Sequence, residues 1–209
     1  MIPALEALER LRDGNLRFAT DGPTRRKTMS RQRRKELAQG QQPFAIVLGC
    51  SDSRVPAEMV FDQGLGDLFV IRVAGNIVAP SQVGSVEFAA ERFGTRLVVV
   101  LGHSQCGAVM ATLEELRQPM NHPGRNLQSI VGRIVPSVEG LLAEEPGRDT
   151  AAVMAQAVRA NIRASANQLR HGSELLERLI AKDGLLVVGA EYSLETGAES
   201  FFDGVPASR

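Results

Sequence analysis

"PFAIVLGCSDSRV", residues 43–55, runs from an unbroken apolar segment through a glycine into a cysteine, an aspartate and an arginine on alternate positions. The apolar half is short and closed by glycine, which reads as a strand buried on both faces. The same pattern returns in "DLFVIRVAG" (67–75), "RLVVVLG" (96–102) and "GLLVVGA" (184–190). Helical spacing fills the gaps: about 82–93, then 107–116, then a long stretch over 126–181 interrupted by Pro136 and Pro146. At the front of the chain, Leu5, Leu8 and Leu11 line one face of a first helix. Strands that alternate with helices in this way predict an α/β fold with a mainly parallel central sheet flanked by helices. In open sheets of this class, ligands gather beyond the carboxyl ends of the strands. That rule puts Cys50, Asp52 and Arg54, and the "HSQCG" (103–107) that follows the third strand, at one edge of the sheet.

The 209 residues, 44% hydrophobic and 23% charged, suit one domain over 1–209, with an N-terminal helical arm over about 1–40. Lys plus Arg and Asp plus Glu number 24 each, so net charge points to neither a nucleic acid nor an acidic partner, and function must come from a site. The basic run "TRRKTMSRQRRKE" (24–36) has no interleaved aromatics and reads as a solvated helix or arm. The charged start "MIPALEALERLRDGNLRF" has no apolar core of signal-peptide type, and no stretch reaches the roughly 18–20 apolar residues of a membrane span. A cytoplasmic location is the expectation, with no membrane partner.

His103 and Cys106 are spaced i, i+3, which brings both side chains to one side of a turn entering a helix. With Cys50 they make three ligands of the type zinc takes, and three protein ligands leave a fourth tetrahedral position open, as in a catalytic zinc site. Buried core thiols, a disulfide, or a thiol nucleophile beside a histidine are the alternatives on residue type alone, the disulfide being disfavoured in a cytosolic chain. His122 and His171 have no ligand-like neighbours and read as ordinary surface or helix histidines. "SDSRVPAE" also reads as a helix N-cap with Pro56 starting the helix. "GLGDLF" (64–69) lacks the third glycine of a dinucleotide fingerprint, and "GHSQCG" (102–107) is neither a nucleophile elbow nor a P-loop.

"CSDSR" followed by "GHSQCG" resembles the zinc site of the β-class carbonic anhydrases. The similarity extends through "GNLRF" (14–18), "GQQPFAIVLGCSDSRVPAE" (40–58), "GDLFVIRVAGN" (66–76), "GSVEFAAERFG" (84–94) and "VVGAEYSLETG" (187–197). The resemblance implies Cys50, His103 and Cys106 as zinc ligands and Asp52 with Arg54 as the dyad beside the metal. It further implies Gln41 as a glutamine reaching the substrate across a dimer interface, and Phe69, Phe88 and Gly107 as pocket positions. The activity implied is reversible hydration of carbon dioxide to hydrogencarbonate and a proton, by attack of zinc-bound hydroxide. Hydrolysis of a sulfur analogue (carbon disulfide or carbonyl sulfide), or a non-catalytic zinc-binding module, are the alternatives. The N-terminal helices would pack on a partner subunit, giving a homodimer or a dimer-based tetramer. Members that close on hydrogencarbonate use a tryptophan, an arginine and a tyrosine as a second anion pocket. Arg72 and Tyr192 fit, but the tryptophan position is Val47, so no such pocket is expected here.

Overall fold

The structure is a computed structural model that describes residues 2–22, 30–118, 124–143 and 149–207; residues 24–29 of the basic run, His122 and Pro146 lie outside these. The four apolar runs form β1 (Ala45–Gly49), β2 (Leu68–Arg72), β3 (Leu97–His103) and β4 (Leu186–Tyr192), all parallel. A fifth strand, β5 (Glu199–Asp203), turns back antiparallel on β4, and the sheet order is β2-β1-β3-β4-β5. "ESFFD" has one apolar pair rather than a run, so apolar periodicity did not mark it.

Burial on both faces holds for β1 and β3, whose residues are buried throughout. It does not hold for β2, an edge strand with Phe69 and Val70 half-buried and Arg72 exposed. One side of the sheet is covered by α4 (Pro80–Arg92), α5 (Gly107–Arg117), α6 (Arg125–Ala143), α7 (Thr150–His171) and α8 (Glu174–Lys182). They pack Val86, Val109, Ile134, Ile162 and Leu176 against Ile46, Leu48, Val98 and Val100. The other side is covered by α1 (Ala4–Ala19) and the short α3 (Ala57–Val60), which bury Leu8, Leu11 and Phe61 against Val47, Val99 and Leu101. Even and odd positions of β1 and β3 thus feed two separate cores, as the two-residue period of a strand requires. No helix among the described residues is long and apolar enough to cross a membrane.

Several local expectations are corrected. Pro136 does not interrupt α6: it lies on the exposed face, while Val131 and Ile134 before it and Val138 after it are buried and carry the helix past it. The inner stripe of α1 is Ala4, Ala7, Leu8, Leu11, Gly14 and Asn15, and Leu5 points outward. Pro56 is the N-cap of α3 rather than its first residue, and no side chain caps that helix. The Asp52 side chain instead accepts from Arg54 N two residues on, closing its own turn. Part of the basic run is α2 (Arg31–Leu37), which buries no residue and fits a solvated helix.

The "GNLRF" segment works through its first two residues. Gly14 lies against the carbonyl of Phe61, where no Cβ fits, so α1 can approach the end of α3 closely. Asn15 donates to the carbonyls of Val60 (3.1 Å) and Gly197 (2.9 Å) and accepts from Glu199 N (2.9 Å), tying α1 to the end of α3 and to the start of β5. Gly14→Ala should therefore destabilise by about 1–3 kcal/mol in denaturant titrations, as overpacking does. Nearby, one oxygen of Glu199 is buried without a hydrogen-bond partner, and burial, only partly offset by the charge of Arg12, pushes its carboxyl up to about 7. A raised carboxyl favours folding while the group stays protonated, an advantage lost as pH rises from the ordinary glutamate range through about 7. Glu199→Gln should accordingly raise the melting temperature more at pH about 8 than at pH about 5, read by circular dichroism.

Candidate functional site

The sheet order sets the site. From β1 the chain goes to β2 on one side and then crosses to β3 on the other, so β1 and β3 are neighbours whose connections leave in opposite directions. Such a switch point opens a crevice at the carboxyl ends of the strands. Gly49 pairs with Leu101, which brings Cys50 level with the end of β3 and hence with His103 and Cys106. Gln105 in the left-handed region (φ 54°) turns the chain between them, and Cys106 is the N-cap of α5.

Cys50, His103 and Cys106 are all buried, and one ligand atom from each lies within 4.8 Å of the others. Both thiols are free, with their sulfurs 3.9 Å apart. Two thiolates on one tetrahedral zinc, each about 2.3 Å from it, stand about 3.8 Å apart, so the pair matches a metal's demand without rearrangement. His103 Nδ1 lies 2.9 Å from the carbonyl of Ser104, which fixes the tautomer with the proton on Nδ1. The other nitrogen, Nε2, is buried with no hydrogen-bond partner among the described residues. An unpaired buried imidazole nitrogen beside two thiols is an arrangement that a cation would satisfy, and the donor set of two sulfurs and one nitrogen suits zinc.

The charges are arranged to the same end. The hydrogen bond from Cys106 first, and then the backbone N–H groups of Asp52 and Gly75, hold the Cys50 thiol well below its ordinary value against the opposing effect of burial. Cys106 is pushed up, by Cys50 first and by burial next. Burial alone would lower His103, but the Cys50 thiolate, the Ser104 carbonyl and Asp52 together raise it. Asp52 is gripped by Arg54: Oδ1 accepts from Arg54 N (3.0 Å) and Nε (2.9 Å), and Oδ2 from Nη2 (2.7 Å). That bidentate pairing holds the Asp52 carboxyl far below the usual carboxylate range. Its Oδ2 stops 3.8 Å from His103 Nε2, facing the cluster without entering it.

Two contributors were not legible in the motifs. Arg72, at the end of β2, donates from Nε to the Cys50 carbonyl (3.0 Å) and from Nη2 to the Asp52 carbonyl (2.5 Å), strapping down the loop that carries both groups. Val47 and Tyr192, named with it for an anion pocket, are both buried in the core under α1. Gly75 N donates to Cys50 Sγ (3.3 Å), and the Gly75 carbonyl accepts from Asn161 Nδ2 (2.8 Å) on α7. A polar residue on the buried stripe of α7, between Val158 and Ile162, is the one sequence signal that marks Asn161.

Gly107 opens α5 directly after Cys106, beside the cluster. The other pocket candidates sit elsewhere in the chain. Phe69 pairs in register with Ile46, four residues before Cys50, or about 13 Å back along the strand. It packs with Phe88 (centroids 6.2 Å apart) and with Phe93 (6.0 Å), and Phe88 is exposed. Gln41 is exposed before the start of β1 and lines a surface pocket of about 610 Å³ with Leu37, Leu65 and Gly66.

The carbonic anhydrase family model matches residues 45–199. The chain is 38% identical over 191 residues to carbonic anhydrase 2 of Mycobacterium tuberculosis, covering 91% of this chain and 89% of that one. The carbonic anhydrase of Mycolicibacterium smegmatis matches to the same extent. Among solved structures, a β-carbonic anhydrase of Aspergillus fumigatus superposes with a TM-score of 0.74 at 26% identity, covering 84% of this chain and 82% of that one. Two tetrameric β-carbonic anhydrases from Sordaria macrospora are represented by a match with a TM-score of 0.69 at 26% identity, covering 80% and 84% of the respective chains.

The grip of Arg54 on Asp52 is open to direct measurement. Because the folded-state value is depressed, the ion pair stabilises the fold above the ordinary aspartate range and its contribution is lost as pH falls through the depressed value. Carbon-13 NMR of the Asp52 carboxyl in the metal-free protein should show its titration moving up toward the ordinary aspartate value in Arg54→Ala, and lying below that value in the wild type.

Proposed function

This chain belongs to the β-class carbonic anhydrases, and from that membership we propose that Cys50, His103 and Cys106 hold a zinc ion at which Asp52 and Arg54 promote the reversible hydration of carbon dioxide to hydrogencarbonate and a proton. The observation that carries this reading is the unpaired, buried His103 Nε2, set between two thiols at metal-bridging separation and faced by an anchored carboxylate. When bound, zinc supplies a Lewis acid that lets water act as a nucleophile near neutral pH.

The chain's own residues supply the rest. Asp52, ionised and fully engaged by Arg54, offers only acceptor oxygens; it takes a hydrogen bond from the reacting water and leaves that water's lone pair directed at carbon dioxide. Arg54 keeps the carboxylate 3.8 Å from His103 Nε2, so Asp52 orients the nucleophile instead of occupying its place. Arg72 prevents the loop from drifting as charge moves across it. The two thiolates donate more charge than imidazoles would, so activity rises toward alkaline pH.

Gln41, Phe69 and Phe88 lie toward the amino ends of the strands, while the metal cluster lies at the carboxyl ends. They reach substrate by lining a partner's cluster, in a homodimer or a dimer-based tetramer. Residues 1–209 then act as one domain whose arm, about 1–40, packs on the partner. The outward Leu5 and Leu16 of α1 and the unburied α2 are consistent with that role. Two unoxidised thiols at this site suit the reducing cytoplasm.

Stopped-flow hydration of carbon dioxide by zinc-loaded protein at alkaline pH tests the reading, and no rate above the uncatalysed reaction would refute it. Cys50→Ser and His103→Ala should lose metal, by elemental analysis. Asp52→Asn should keep zinc and lose activity by about 10–100-fold or more, the range expected for a partner just outside the metal shell.

A further inference from the structure

Behind the cluster, a buried relay connects Cys50 to the middle of α7. Asn161 is 2% exposed, and an amide placed among Val158, Ile162 and Ala166 costs free energy unless it is hydrogen-bonded. Its Nδ2 donates to the carbonyl of Gly75, the residue whose N–H points at Cys50 Sγ. Gly75 stands in the left-handed region (φ 71°, ψ 17°) of the short 3-10 turn Ala74–Asn76. A Cβ there would lie 2.9 Å from Ile134 Cδ1 and 3.0 Å from Ala108 Cβ, so α5, α6 and α7 all close on this one residue. The two peptide groups flanking Gly75 are coupled through its φ and ψ, and holding the carbonyl of one fixes the direction of the N–H of the other.

We propose that Asn161 is a positioning residue for the metal site, aiming the Gly75 N–H at the Cys50 thiolate and thereby drawing charge off one sulfur. The inference rests on the reading of Cys50 as a metal ligand. An N–H···S bond lowers the energy of the sulfur lone pairs and reduces the charge the thiolate passes to its metal. In a site with two thiolates, that withdrawal would offset part of the charge the sulfurs pass to a bound metal. Without Asn161 the turn relaxes and the N–H leaves the sulfur.

Cobalt(II) in place of zinc reports the thiolates through their sulfur-to-metal charge-transfer absorption. Asn161→Leu and Asn161→Ala should still bind one metal per chain, with the band moved to lower energy and the metal dissociation constant raised about 10–100-fold. Asn15→Ala is the control: it removes buried hydrogen bonds to Val60, Gly197 and Glu199 and should lower stability without moving the band. Folded Asn161 variants with the wild-type band and affinity would overturn the proposal, as would an equal shift in Asn15→Ala. If both Asn161 variants fail to fold, cadmium-113 NMR of the wild type decides: coupling between the Gly75 amide proton and the metal is expected, and its absence contradicts the relay. A wild type with no charge-transfer band, or Cys50→Ser with an unchanged one, would instead remove the metal site on which the inference stands.

Discussion

Everything at the site depends on the pairing of β1 with β3. Gly49 opposite Leu101 is a backbone ladder deep in the sheet, yet it determines that a cysteine at 50 and a histidine at 103 emerge side by side. Buried residues on both faces of both strands hold that register, since a one-residue slip would exchange the two cores and turn every side chain to the wrong layer. The edge position of β2 matters for a different reason. It leaves Arg72 exposed and long enough to bend over the end of β1 and hold the Cys50–Asp52 loop by its carbonyls.

Around that crevice the charges are layered. The innermost groups are two thiols and an imidazole, sheltered from water. Outside them Asp52 is a carboxylate whose charge is already answered by Arg54, so it can face the cluster without collapsing into it. Arg54, about half exposed, meets solvent, where its charge is inexpensive to keep. Two sulfurs and an imidazole nitrogen brought together out of water make a donor set that a divalent cation would satisfy.

The four parallel strands, the main helices and the convergence of Cys50, His103 and Cys106 were legible because each rests on local signals: apolar runs, glycine stops, and Cys and His at turn spacing. Pro136 misled because a proline on an exposed helix face can be carried by Val131, Ile134 and Val138, and burial on the facing stripe outweighs the local preference. β5 escaped because an edge strand needs no apolar run. Arg72 and Asn161 act through backbone carbonyls, and such contacts leave no trace in residue spacing; only a polar residue on an apolar stripe hints at the second. Gln41, Phe69 and Phe88 stand away from the cluster within one chain because a strand's two ends are separated by its length.

The central claim is that the two sulfurs and the free imidazole nitrogen converge on one zinc. X-ray absorption at the zinc edge of the metal-loaded wild type tests it most directly. Two sulfur neighbours at about 2.3 Å, one imidazole nitrogen at about 2.0–2.1 Å and one light-atom ligand are expected. A shell of oxygen and nitrogen alone, with both cysteines still titratable by thiol reagents, would contradict it.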